Sequence, residues 1–292
     1  MKFRLALILA IAMSATPACA QGNGGGGAVI VAAENFYGDI ARQIAGPQAQ
    51  VRSILSSPDD DPHLFEVSPS VARDLATAKI VIYNGVDYDP WMPKLLLASK
   101  ATERRVIVVG DLLHKKPGVN PHLWYDPSTA QGVAKAISAA LSAYDPPRKG
   151  EYDQRLQVFL ASLKPVDDKV AEMRKQFAGT PVTATEPVFG YLAAALGLKM
   201  RNERFQLAVM NDTEPAASDV AVFESDLRDK RVKLFIYNSQ ATSKTAQRLA
   251  NLAKESKIPV IGVTETQPEG TTFQEWMLTE LDAVQKALTG AN

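Results

Sequence analysis

Twice along its length the chain alternates short β-rich runs with longer amphipathic runs, and this restricts it to a mostly parallel α/β architecture. In the first half, Ala28–Ala33 (AVIVAA), Val51–Leu55, Lys79–Asn84 and Arg105–Val109 read as strands. Between and after them lie helical patterns. Asn35–Ala45 places Phe36, Ile40 and Ile44 on one face, Pro69–Ala76 is opened by Ser68, and Trp91–Ser99 and the Ala-rich Ser128–Tyr144 follow. In the second half, strands Val182–Thr185, Val232–Tyr237 and Pro259–Val263 alternate with helices Val188–Leu196, Ala217–Arg228, Ser243–Ser256 and Phe273–Leu288. Lys199–Met210 reads as a polar, hairpin-like region.

The segment from Pro147 to Phe177 has a different character. Leu156, Phe159, Leu160 and Leu163, then Val166, Val170 and Met173, recur at helical spacing, which predicts a long connector that Pro165 kinks or divides in two. The expected fold is therefore α/β, with two Rossmann-like lobes of mostly parallel sheet, at residues 28–146 and 179–292, joined by a long connecting helix at residues 147–178.

The first twenty residues set the compartment. Lys2 and Arg4 precede an apolar run from Leu5 to Met13 and a small-residue end at Ala18-Cys19-Ala20, the pattern of an export signal cleaved before Gln21. The apolar run is too short to span a bilayer. Plain cleavage, giving a periplasmic protein, is favoured over lipidation of Cys19, because Thr16 stands where lipoprotein signals usually have Leu. Gln21–Gly27, with five glycines, reads as a flexible leader. Cys19 is the only cysteine, so the exported chain has no disulfide and relies on its core. Without Lys2 and Arg4 the chain carries 30 basic against 32 acidic side chains, a balance with no nucleic-acid signature.

The chain has three histidines, and two of them share a surrounding: SPDDDPHLFEVSPS holds His63 and VNPHLWYDPS holds His122, each behind a Pro. One such residue reads as a solvent-exposed loop histidine; two with the same neighbours point to a common task. Ligands of open parallel sheets sit at the carboxyl ends of strands, where Glu186 follows VTAT and Glu265 follows PVIGV. A single Glu there is ordinarily a helix cap or a solvated side chain. Taken together, two imidazoles and two carboxylates neutralise a divalent cation and offer no thiolate to select a soft ion, which suits manganese, zinc or ferrous iron.

PHLFEVSPS, IVIYNGVDYDPWMPKLL, PHLWYDP, EPVFGYLAAALGL and PVIGVTETQP resemble motifs of the periplasmic solute-binding proteins of metal ABC transporters, the zinc and manganese group. The resemblance covers essentially the whole exported chain. It implies two lobes joined by a rather rigid helix and a metal ion held between them as transported ligand, with no enzymatic activity. It also implies delivery to the membrane permease of an ABC importer by a monomer. His63 and His122 match the first two ligand positions of the family; Glu186 matches the third, which is His in zinc-type and Glu in manganese-type members; Glu265 falls where the family usually has Asp. Two departures stand out. The loop before His122 lacks a His- and Asp-rich insertion and retains only His114, and Asn238 in LFIYNSQ replaces a commonly acidic residue.

Two other readings use the same ligands. A secreted metal-dependent hydrolase would need a base or acid near the ion, for which Glu66 and Asp126 are the nearby carboxylates, although Asp126-Pro127 reads as a helix cap. A binder of chelated metal, haem or siderophore, would need a wide aromatic- or Arg-lined pocket. Only 7% of the residues are aromatic, and Trp124 and Tyr125 read as core or pocket wall.

Overall fold

The computed structural model describes residues 27–57, 68–99, 101, 103–240 and 244–290. In the first lobe the strands are β1 (Val29–Glu34), β2 (Gln50–Leu55), β3 (Ile80–Tyr83) and β4 (Arg105–Val108), and the helices are α1 (Asn35–Ala45), α2 (Pro69–Thr77), α3 (Trp91–Ala98), α4 (Val109–Leu112) and α5 (Thr129–Tyr144). The connector consists of α6 (Lys149–Ser162) and α7 (Lys164–Phe177). The second lobe holds strands β5 (Pro181–Ala184), β6 (Lys199–Arg201), β7 (Phe235–Asn238) and β8 (Val260–Val263), and helices α8 (Gly190–Ala195), α9 (Glu203–Met210), α10 (Ala217–Arg228), α11 (Lys244–Glu255) and α12 (Phe273–Thr289).

Both sheets have four strands, all parallel, in the same spatial order: β2-β1-β3-β4 and β6-β5-β7-β8. In each sheet the chain reverses its direction of winding between the two central strands. The crevice outside their carboxyl ends is where such sheets take ligands. Glu34 closes β1, and Asn238 closes β7 opposite Val263.

The hairpin-like reading of Lys199–Met210 is overturned. Lys199 to Arg201 form an edge strand parallel to β5, with Pro181 paired to Lys199 and Thr183 to Arg201. Asn202, in the left-handed conformation at φ 62°, then turns the chain into α9. A three-residue polar strand carries too little alternation to be read from sequence. Two smaller differences concern ends. The Ser68 side chain makes no cap bond to the backbone and pairs with the Ser70 hydroxyl at 2.6 Å, and the strand expected from Val232 begins only at Phe235.

The connector is divided as Pro165 implies, although the break falls at Leu163, where φ −77° and ψ −17° keep the backbone helical. Pro165 occupies the first turn of α7, where its missing N–H leaves no intrahelical bond unmade. The last helix, α12, returns across the lobes to pack on α7 and α1. One apolar core consequently runs from Ile30, Phe36 and Ile40 through Phe159 and Met173 to Val182, Phe189 and Trp276.

At its centre the Phe36 ring lies 4.6 Å from Trp124 and 5.8 Å from Trp276, and Tyr125 lies 5.6 Å from Phe189 and 5.7 Å from Trp276. Rings from both lobes thus form one cluster. Buried aromatic side chains contribute heavily to core stability.

Candidate metal centre

His122 is built into the first lobe rather than displayed at a loop tip. It is fully buried, and the rings of Trp124 and Tyr88 stand edge-on to its imidazole at 5.3 and 6.0 Å. Its protonation pattern follows from Asn120. The Asn120 amide donates through Nδ2 to the Pro187 carbonyl at 2.7 Å, which identifies its Oδ1 as the acceptor facing His122. That oxygen accepts the backbone N–H of His122 at 3.1 Å and lies 2.6 Å from Nδ1. Nδ1 therefore carries the proton and Nε2 presents its lone pair.

Nε2 faces Glu265 Oε2 at 3.4 Å. An imidazole lone pair and a carboxylate oxygen at this distance attract only through a cation between them, either a proton or a metal.

The second lobe supplies the carboxylates from adjacent strand ends. Glu186 follows β5 and starts a single 3-10 turn, Pro187–Phe189, that leads into α8. Asn238 ends β7, where its backbone N–H donates to Thr185 Oγ1 at 3.2 Å. Glu265 follows β8 and is oriented by Gln240, whose Oε1 accepts the N–H groups of Glu265 and Thr266 at 2.6 and 3.2 Å. The Asn238 amide then joins the two acids, donating through Nδ2 to Glu265 Oε1 at 2.5 Å and to Glu186 Oε2 at 3.2 Å. Both acids are buried, and buried charges are held by partners or by metal ions.

Three of the four sequence candidates therefore come together, with Glu265 against His122 and Glu186 joined to Glu265 through Asn238. His63 lies outside the described residues, as does Glu66. Among the described residues no group of three or more His, Cys, Asp or Glu side chains is close-set enough to hold a metal ion by itself. His114 is exposed, as a solvated loop residue should be.

Beneath His122 lies a second set of buried groups that the sequence reading did not select. The Glu34 carboxyl at the end of β1 is pushed well above its usual range by desolvation first and then by the charge of Asp89. Asp89 is raised to about 6 by desolvation, while it accepts the N–H groups of Asn84 and Gly85 at 2.6 and 2.8 Å. The proton of the pair accordingly resides on Glu34. Burial, followed by the charges of Glu265 and Glu34, holds the Tyr88 phenol well above its usual range, so it stays protonated. Asn120 and Gln240 were also missed as positioning groups, and Asn238 stood out in the sequence only as a neutral residue in place of a commonly acidic one.

The lobes are stitched on both sides of the site. Asn35 clasps the backbone of Gln267, donating to its carbonyl at 2.7 Å and accepting its N–H at 3.0 Å. Tyr125 Oη donates to the Thr264 carbonyl at 2.9 Å, and Tyr191 Oη to that of Asn120 at 2.9 Å. A side chain at Gly190 would meet the Asn120 amide at 2.9 Å, so glycine is what admits the bridge between Asn120 and Pro187.

Comparison with known proteins agrees with this architecture. The family model described as zinc-uptake complex component A, periplasmic (ZnuA), matches residues 30–287. The manganese ABC transporter substrate-binding lipoprotein PsaA of Streptococcus mitis is 24% identical, across 96% of this chain and 97% of its own length. The high-affinity zinc uptake system protein ZnuA of Bacillus subtilis is 25% identical, across 97% of this chain and 94% of its own. The solved structure of the periplasmic zinc-binding protein TroA from Treponema pallidum superposes with a TM-score of 0.76 at 19% identity, covering 90% of this chain and 99% of that one, a likeness of fold.

Proposed function

This chain belongs to the family of periplasmic zinc-uptake complex component A, and from that premise we propose that it is an exported solute-binding protein that captures a divalent transition-metal ion between its lobes. The ion is manganese or zinc, with ferrous iron the lesser candidate, and it is cargo handed to the permease of an ABC importer. The observation that carries the reading is the buried pairing of His122 Nε2 with Glu265 Oε2 at 3.4 Å, both groups offering lone pairs. Glu186 supplies the third donor, and His63, placed by sequence in the loop after β2, the fourth. Two neutral nitrogens and two anionic oxygens leave a divalent cargo electrically neutral in a buried site.

The donor set argues for binding rather than turnover. Asp126, the described carboxylate considered as a hydrolytic base, accepts the Ser128 N–H and hydroxyl at 3.0 and 2.7 Å, which engages it in the turn that leads into α5. Relatives named as lipoproteins favour a lipid anchor at Cys19 over the plain cleavage expected from Thr16. Cys19 itself lies outside the described residues.

The test is elemental analysis of the protein recovered from its own exported compartment, with competitive titration by manganese and zinc. One equivalent of either metal supports the reading. A metal-free protein that takes up neither contradicts it.

A further inference from the structure

Asn238 stands at the winding reversal of the second sheet, between the strand ends that carry Glu186 and Glu265. Its amide is oriented by the backbone: Oδ1 accepts the Gln240 N–H at 3.0 Å, which turns Nδ2 toward the acids. That one nitrogen has two hydrogens, and it contacts one oxygen of each carboxylate, Glu186 Oε2 at 3.2 Å and Glu265 Oε1 at 2.5 Å. The remaining Glu265 oxygen, Oε2, is the one that approaches His122 Nε2. Asn238 thus holds one oxygen of each carboxylate.

Chelation of a cation through both oxygens would compete with that grip, whereas binding through one oxygen would not. We propose that Asn238 is a specificity-determining residue for the metal cargo, holding Glu186 and Glu265 to one metal-directed oxygen each. This rests on the proposed metal-capture function. Single oxygens keep the donor count low, as the four-coordinate preference of zinc requires; manganese favours six-coordinate, oxygen-rich surroundings. An acidic residue at position 238 would remove the donor, repel both acids and leave them able to chelate. The neutral amide therefore favours zinc over manganese through geometry, although the pair of carboxylates would suit either ion by charge.

Cobalt(II), added alone to the metal-free exported protein, is the probe, because its visible absorption is strong in four-coordination and weak in six-coordination. The native protein is expected to give the strong bands. Asn238→Ala, and Asn238→Asp as the variant of closest shape, are expected to lose most of that intensity and to move the zinc-to-manganese affinity ratio toward manganese by about tenfold, the scale of one hydrogen bond to a charged group. Thermal melting confirms which variants are folded, and either one suffices. Weak bands in the native protein, or folded variants with an unchanged spectrum and ratio, would overturn the specificity role while leaving metal capture intact. A native protein that binds no cobalt, zinc or manganese would overturn both.

Discussion

His122 shows how a single residue is specified by its neighbours: Asn120 fixes the proton on Nδ1, Trp124 and Tyr88 fix the plane of the ring, and Nε2 is left to meet Glu265. From sequence the residue was a loop histidine behind a proline; in the fold it is part of the core. Replacement His122→Ala is therefore expected to abolish stoichiometric metal uptake, read by equilibrium dialysis, and also to lower stability by roughly 2 kcal/mol through the cavity it opens. Uptake retained by a folded His122→Ala protein would contradict its role. Glu280 allows a prediction of opposite kind. Desolvation raises its carboxyl from 4.5 to about 7, although Trp276 Nε1 donates to it at 3.2 Å. Between those values the unfolded chain loses the proton while the folded chain keeps it, so the stability that the neutral acid allows is complete below 4.5 and lost as pH rises to about 7. Glu280→Gln keeps an oxygen for Trp276 and removes the ionisation. It is expected to stabilise the protein by about 3 kcal/mol at pH 8 and hardly at all at pH 4.5. Denaturant midpoints measured at both pH values check this, and an equal effect at each would contradict it.

At the scale of elements, legibility followed pattern length. The limits of α1 and α10 agree with the apolar spacing because each has more than two turns with which to declare a period. The three-residue β6 and the left-handed Asn202 after it had no period to declare, and only pairing with β5 makes that segment a strand. The site was legible to the same degree. His122, Glu186 and Glu265 stood out as donor types at the ends of readable elements, whereas the groups that orient them are amides whose importance lies in contacts between distant segments: Asn120 with Pro187, Gln240 with Glu265. The start of α12 is organised in the same way. Thr272 and Glu275 form a reciprocal capping box, and the Phe273 N–H donates at 2.9 Å to Asp39, a residue of α1 in the other lobe. Asp39→Ala leaves that buried N–H without its acceptor and is expected to cost about 1–3 kcal/mol, measured by urea unfolding. A change below about 0.5 kcal/mol, the usual scale of a surface substitution, would show that the inter-lobe cap is not a structural tie.

Across the whole molecule, the connector, the last helix and the aromatic cluster act as one frame. The break at Leu163 stays helical, α12 lies along α7, and Gln274 ties Ser162 and Gln43 together at 2.6 and 3.0 Å. With Asn35 clasping Gln267 and Tyr125 reaching Thr264, wide hinge opening would break bonds on both sides of the site and part the central rings. Metal binding is accordingly expected to act through small lobe shifts, and small-angle scattering curves of metal-free and loaded protein should nearly superimpose. A large fall in radius of gyration on loading would contradict the frame. The central claim, that His63, His122, Glu186 and Glu265 receive the cargo, is tested most directly by X-ray absorption at the zinc edge of the zinc-loaded protein. The account predicts four nitrogen and oxygen donors at about 2.0–2.2 Å, with the outer-shell scattering of two imidazoles. A first shell without imidazole scattering, or with that of a single imidazole, would contradict it.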